Sequence, residues 1–296
     1  MTTRLIYPFA FVLIVCSTAC EDPIEVPSQF EESQLVVDAW LTNTDSEQTI
    51  ILNETVDYFA GGNPAPVTEA TVQVCNERTL SCVFFAHQGE GRYTWQPDPG
   101  QQLGQVGDVL ALGIQLGERQ VVSTTDISRT VRIDSIGLET EEEGTLGLAD
   151  GIYAQLYAFD SLGQGDTYWV RAYKNDTLLN RPTEQIVAYD ATFDAGTSID
   201  GTYFITPLRI GINPLDDDGF FVPYEPGDNI YVEVHSINEF AFQFINIAVE
   251  QILNEGIFAS PLANAPSNIV DADTGDRVLG IFNVAEVASI AVEVEE

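Results

Sequence analysis

Short runs in which apolar and polar residues alternate dominate this chain, and a period of two marks half-buried β-strands. Residues 35–41 predict a first strand and 49–52 a second. Further runs lie at 70–74, 83–87, 92–95, 109–115 and 120–124, with turn formers between them. That succession predicts an immunoglobulin-like or transthyretin-like β-sandwich over residues 33–127. A second β-rich section, 128–296, opens on Ile133-Asp134-Ser135-Ile136. Within it, 152–159 and 168–173 read as a hairpin around 160–165. The runs 186–188, 203–210, 229–235, 278–282 and 289–294 read as further strands.

One stretch breaks the period. Ser236 and Glu239 have the spacing of a capping box. Polar residues then recur at Gln243, Asn246, Glu250 and Asn254, three to four apart. Phe240, Phe242, Phe244, Ile245, Ile247, Val249, Ile252 and Leu253 fill the rest, and Gly256 is a natural stop. This predicts one long buried helix over about 236–255, packed against a sheet.

The beginning of the chain follows a different rule. Arg4 precedes an uncharged apolar run, Leu5 to Val15, and the small residues Ser17-Thr18-Ala19 lead into Cys20. A charged start, a short apolar core and a small-residue site make a secretory signal, here 1–19. The core is too short to span a bilayer, which takes roughly 20 residues. The small residues ending in Cys20 resemble a bacterial lipoprotein box, which implies cleavage before Cys20 and its lipidation. Residues 20–32 are acidic, carry Pro23 and Pro27, and read as an extended tether.

Charge narrows the partners. There are 46 acidic residues against 11 basic ones, a net charge of −35, and Lys174 is the lone lysine. Nucleic acid lacks the basic footprint it needs. The acidity is read either as a cation-attracting surface or as adaptation to high salt, and the near-absence of lysine favours a halophilic or marine source. Of four cysteines, Cys75 and Cys82 lie beyond the signal region, between strand-like runs. A disulfide across that hairpin is expected in an oxidising compartment.

Chemistry is sparse. No P-loop, nucleophile elbow or His-Glu-x-x-His occurs, and the two histidines, His87 and His235, fall in different sections. No catalytic residue is assigned. Asp271, Asp273 and Asp276 alternate oxygens in a turn and are weak Ca²⁺ candidates, without the later glutamate of an EF-hand; no other cofactor is expected. Tyr153, Tyr157, Tyr168, Trp169 and Tyr173 cluster in one predicted hairpin and form a candidate aromatic platform for a sugar or peptide.

The order of landmarks resembles a known family. Cys20-Glu21-Asp22 is followed by Leu35-Val36-Val37-Asp38-Ala39-Trp40-Leu41-Thr42, with alanine where the family has glycine. Tyr58-Phe59, the Pro66-to-Val72 segment, Gly91-Arg92-Tyr93, Ile133-Asp134-Ser135-Ile136, Gly227-Asp228, Pro261, Ser267-Asn268-Ile269 and Gly280-Ile281-Phe282 continue it. The chain thus resembles the Bacteroidota lipoprotein family catalogued as domain of unknown function 4249. The resemblance implies an outer-membrane lipoprotein, often encoded beside a TonB-dependent barrel, with no enzyme activity. Glu21-Asp22 also resembles the acidic tag of surface-exported lipoproteins. The expected function is a non-catalytic, surface-exposed binding protein or accessory partner of a TonB-dependent outer-membrane transporter. The alternatives are an adhesion or envelope-assembly module without a small ligand, and an extracellular hydrolase using paired carboxylates.

Overall fold

The computed structural model describes residues 33–56, 63–142, 148–192, 199–204, 208–254 and 265–295. The signal region with Cys20, the acidic tether, Tyr58-Phe59 and Pro261 lie outside the described residues. The strands are β1 (Leu35–Thr42), β2 (Gln48–Glu54), β3 (Ala65–Pro66), β4 (Thr71–Asn76), β5 (Ser81–Gly89), β6 (Arg92–Trp95), β7 (Val109–Leu116) and β8 (Arg119–Asp126). They continue as β9 (Arg132–Glu141), β10 (Gly151–Phe159), β11 (Thr167–Lys174), β12 (Thr177–Leu178), β13 (Ile186–Tyr189) and β14 (Asn229–Ser236). One helix, α1 (Glu239–Leu253), precedes β15 (Ile269–Asp271), β16 (Arg277–Ala285) and β17 (Val287–Glu293). The fold is mainly β, as the alternating pattern predicts.

The expected N-terminal sandwich is corrected to a closed barrel. From β1 the neighbours run β16, β15, β8, β7, β4, β5, β6 and β2, and β2 pairs with β1 again. The physical reason is edge satisfaction. The strands of 33–127 alone leave β1 and β8 each with an unpaired row of backbone groups. β15 and β16, from the far end of the sequence, fill that gap, and closure removes the edges. β16 joins β1 in parallel, Val36 opposite Leu279 through Thr42 opposite Ala285. Alternate side chains fill the interior: Leu35, Val37, Ala39 and Leu41 from β1, Leu110, Leu112 and Ile114 from β7, Phe282 and Val284 from β16. The two backbones meet closely at Gly280, whose φ is +111°. The Val37 carbonyl oxygen lies 1.8 Å from where a Cβ would stand.

The second section is built from two layers. β9 and β10 form an antiparallel pair. β11 lies in a five-stranded sheet, with β14 and then β17 on one side and β12 and β13 sharing the other. Ala154, Leu156 and Ala158 of β10 face Val170 and Ala172 of β11 and Val232 and Val234 of β14 across a dry core. The expected hairpin of 152–159 with 168–173 is therefore corrected: the two runs belong to different layers. The crossing between them is held by Arg129, which donates to the carbonyls of Ser161, Leu162 and Gly163 and to Asp166. Those bonds turn the chain from one layer to the other instead of folding it back in-plane.

Helix α1 starts later than the capping box suggests. Asn238, not Ser236, is the N-cap, and its side chain accepts from Ala241 N at 2.8 Å. Ser236 still belongs to β14, where its hydroxyl accepts from Glu286 N. Ala241, Phe242 and Ile245 are buried with Val187 of β13 and Ile281 of β16, so the helix packs between the five-stranded sheet and the barrel. Its burial is one-sided, because Phe240, Ile252 and Leu253 are exposed. Among the described residues no helix is long and apolar enough to cross a membrane.

Candidate functional site

The residues singled out by sequence fall at separate places. Cys75 and Cys82 sit directly opposite each other on β4 and β5, and their sulfurs are bonded. The loop they close is tied to the barrel by Asp108. That buried carboxylate accepts from Asn76 Nδ2 at 2.8 Å, from Gln105 N at 3.0 Å and from the Arg78 guanidinium. Arg78 in particular holds the carboxyl well below the ordinary range, against the upward push of burial.

Asp271, Asp273 and Asp276 are not brought together as a ligand set. The Asp271 carboxylate receives Arg119 Nε at 2.7 Å and the backbone N–H groups of Asp273 and Thr274. This is a side chain organising its own turn. Among the described residues no group of three His, Cys, Asp or Glu is placed to hold a metal.

The five aromatics of the proposed platform are divided. Tyr153 is buried on β10 and donates to Ala149 O at 3.1 Å. Tyr157 is half-buried on the same strand and lies over Gly137. Tyr168 points into the core and donates to Asp160 at 2.6 Å. Burial pushes its phenol far up. Only Trp169 and Tyr173 share the opposite, outward face of β11.

That face carries the most concentrated chemistry in the section. The β11–β14 register sets Trp169 opposite His235, Arg171 opposite Glu233 and Tyr173 opposite Tyr231. The Arg171 guanidinium carbon lies 4.8 Å from the Trp169 ring centroid and 5.9 Å from that of Tyr173. Such cation–π contacts contribute about 0.5–2 kcal/mol according to their exposure. Glu233 accepts from Tyr231 Oη at 3.1 Å, Tyr173 Oη at 3.3 Å and His235 Nε2 at 3.0 Å. A carboxylate only accepts, so the His235 proton sits on Nε2. Burial pushes the Glu233 carboxyl up. The bonds from His235 and Tyr231 and the Arg171 charge outweigh that push and hold it below its ordinary value. Burial lowers the His235 imidazole, so it is neutral at pH 7.

Arg171 differs from most cations of this acidic chain. Arg78, Arg119, Arg129, Arg132, Lys174, Arg181 and Arg209 are each in an ion pair. Arg171 is held by rings, and its buried Nε has no acceptor among the described residues. At the Trp169 end the face is covered by Trp40 of β1, 5.2 Å between ring centroids, and by Phe244 of α1. Arg171, Tyr173 and Tyr231 are half-buried.

Sequence reasoning reached Trp169 and Tyr173 but missed Arg171, Tyr231, Glu233 and His235. The alternation in Tyr168–Tyr173 already put Arg171 on their face. The pairing with β14, more than fifty residues away, is what completes the row, and no local signal carries it.

The buried carboxylates elsewhere have structural partners. Asp160 accepts from Tyr168 and Gly201 N, Asp190 from Gly165 N and Asp166 N, and Glu184 from Arg181 N and Leu215 N. Each ties a loop to a strand end. No curated protein matches the chain. Residues 21–291 match the family model described as Domain of unknown function (DUF4249). That span takes in the whole barrel, the helix and nearly all of the second section, and the chain belongs to that family.

Proposed function

We propose that this protein is a non-catalytic outer-membrane lipoprotein, anchored through Cys20 and facing the cell surface. It binds its ligand or partner at the outward face of β11 and β14 and serves a TonB-dependent outer-membrane transporter. The observation that carries the binding reading is the Trp169–Arg171–Tyr173 stack beside Tyr231 and Glu233. Aromatic rings and arginine are the residue types that supply most binding energy at protein surfaces. Here they are fixed by a sheet and by one another, so little order is lost on binding. Arg171 also stands outside the ion pairs that engage most of the cations among the described residues, which suits an anionic group on the ligand. The anchor and the transporter rest on the Cys20 box and on the family resemblance.

The test is a gentle-detergent pull-down of the tagged, lipidated protein, with co-purifying proteins identified by mass spectrometry. A stoichiometric TonB-dependent barrel that is lost with Arg171→Ala supports the reading. Recovery of the barrel by Arg171→Ala moves the contact elsewhere on the molecule. Absence of any barrel favours adhesion or free-standing binding. Protease treatment of whole cells checks orientation: a surface protein is digested and a periplasmic one is protected.

A further inference from the structure

The solvent-facing sheet surfaces of this molecule differ in charge. The outer face of β1, β2 and β6 carries Asp38 and Arg92. That of β9 and β10 carries Glu139 and Glu141, and that of β11 and β14 carries Arg171 and Glu233. Among the described residues the side of the barrel made by β5, β4, β7, β8 and β15 is the exception. One outward row runs Phe84–Gln73–Gly113–Val122–Val270 across all five strands. The flanking rows add only alanine, threonine, glutamine and the Cys75–Cys82 disulfide. None of these positions is charged, in a chain with 46 acidic residues. Carboxylates return at or beyond the strand ends, with Glu77 and Asp126 at one end and Glu69 and Glu118 at the other.

The wall is apolar as well as neutral, and it is held rigid. Phe84 is 63% exposed and Val270 38%. The disulfide joins β4 to β5, and Asp108 gathers Asn76, Arg78 and Gln105 at one end of them. Helix α1 and the second section pack against β1 and β16, which leaves this wall to solvent.

We infer that the uncharged wall is a self-association surface, on which a second copy of the chain docks its own wall in a two-fold dimer. Interface centres are depleted of charge and enriched in aromatic anchors, with polar groups left at the rim. The occupant follows from the chemistry of the wall. A charged surface pressed against it would lose hydration and gain no ion pair in return. The matching surface must be neutral, part apolar and part amide, and the wall is itself such a surface. Phe84, Val122 and Val270 bury against apolar counterparts, and Gln73 both donates and accepts. Area sets the strength. Five strands ~4.8 Å apart, with outward positions ~6.8 Å apart, span roughly 20 Å by 20 Å, about 400 Å² per copy. That is the low end for a specific interface, so the dimer is weak and reversible. Net charge sets its salt dependence. Two bodies of −35 repel until the Debye length, about 10 Å at 0.1 M salt, shrinks to about 3 Å at 1 M. The inference goes beyond the aromatic face and the membrane role and stands without either.

The test is sedimentation equilibrium of the full chain in density-matched non-ionic detergent, micelles in excess, at about 0.1 M and about 1 M NaCl. A monomer–dimer equilibrium that tightens about tenfold or more in the higher salt is expected. Gln73→Glu keeps the side-chain shape and sets a carboxylate in the middle of the wall. Phe84→Ala removes the anchor from an exposed position. Each should keep the wild-type melting curve and weaken the dimer about tenfold or more. Gln164→Glu, the same exchange on an exposed loop of the second section, should dimerise as wild type does. Hydroxyl-radical footprinting should find Phe84 shielded in the dimer and open in the monomer. A chain still monomeric in the higher salt at about 100 μM, a dimer that salt weakens, or one that both wall variants leave intact would overturn the inference. Phe84 shielded on whole cells while the purified chain stays monomeric would overturn it in favour of a different protein partner.

Discussion

Replacing Gly280 with alanine tests the barrel at its seam. The added Cβ would stand 1.8 Å from Val37 O, 2.7 Å from Val37 C and 2.8 Å from Val37 N, all backbone atoms of the neighbouring strand. Such contacts are not tolerated below 3.0 Å, so β1 and β16 must separate by more than ~1 Å. Neither strand can yield freely, because β1 is also paired with β2, and β16 with β15. Alanine at φ +111° adds strain of about 1–3 kcal/mol. Stretching one or two dry ladder bonds adds about 1–2 kcal/mol each. The sum is about 2–7 kcal/mol, which for a body of this size lowers Tm by roughly 5–20 °C. Thermal and urea unfolding followed by circular dichroism provide the assay. Gly113→Ala is the matched control: it sits on barrel strand β7, and its nearest obstacle is the flexible Gln73 side chain at 3.4 Å. It should stay within ~1 kcal/mol of wild type. If Gly280→Ala melts within about 2 °C of wild type, or the two variants fall equally, the parallel β1–β16 seam is wrong as described.

Three further outcomes are expected. Asp108→Asn turns an amide toward the buried Asn76 and Gln105 donors and should cost about 2–4 kcal/mol in urea unfolding. Since the Asp108 carboxyl is held below its ordinary range, that difference should be constant above pH ~4 and shrink only as pH falls further. Tyr168→Phe leaves the fully buried Asp160 with Gly201 N alone and should cost about 1.5–3 kcal/mol, read as a shift in Tm. His235 is buried neutral, so the unfolded chain takes up its proton first as pH falls. Stability should decline from about pH 7 to pH 5, and His235→Gln should flatten that slope in urea midpoints taken across the window. The neighbouring Glu233, with its lowered carboxyl, contributes only below about pH 4.5.

Local patterns carried far in this chain and then stopped at a definite point. The alternation in Leu35–Leu41 located β1 and its buried face, and the stripe of polar residues from Glu239 located α1. What they did not carry is partnership. Alternation says that one side of a strand is buried, and it is silent on which strand lies alongside. β16 was legible as a strand, but its place between β1 and β15 depends on pairing across most of the sequence. The same limit separated Tyr157 from Trp169, which share an aromatic character and a short sequence interval but not a sheet. Arg171 illustrates the other half of the point. Its face was readable from parity, whereas its significance came from Glu233 and Tyr231 arriving opposite, and from every nearby carboxylate bond going elsewhere.

The seam between β1 and β16 also sets a timetable. Val36 waits for Leu279. A chain that emerges N-terminus first, at roughly 5–20 residues per second, presents its first strand tens of seconds before the partner exists. Through that interval seven strands of the barrel can associate locally, while the outer rows of β1 and β8 stay open to any passing strand. Closure is a late, high-contact-order event, slow by its nature and exposed to misassociation until it happens. β15 and β16 are thus what finish the barrel, and anything that delays their arrival prolongs the vulnerable state of the seven strands before them.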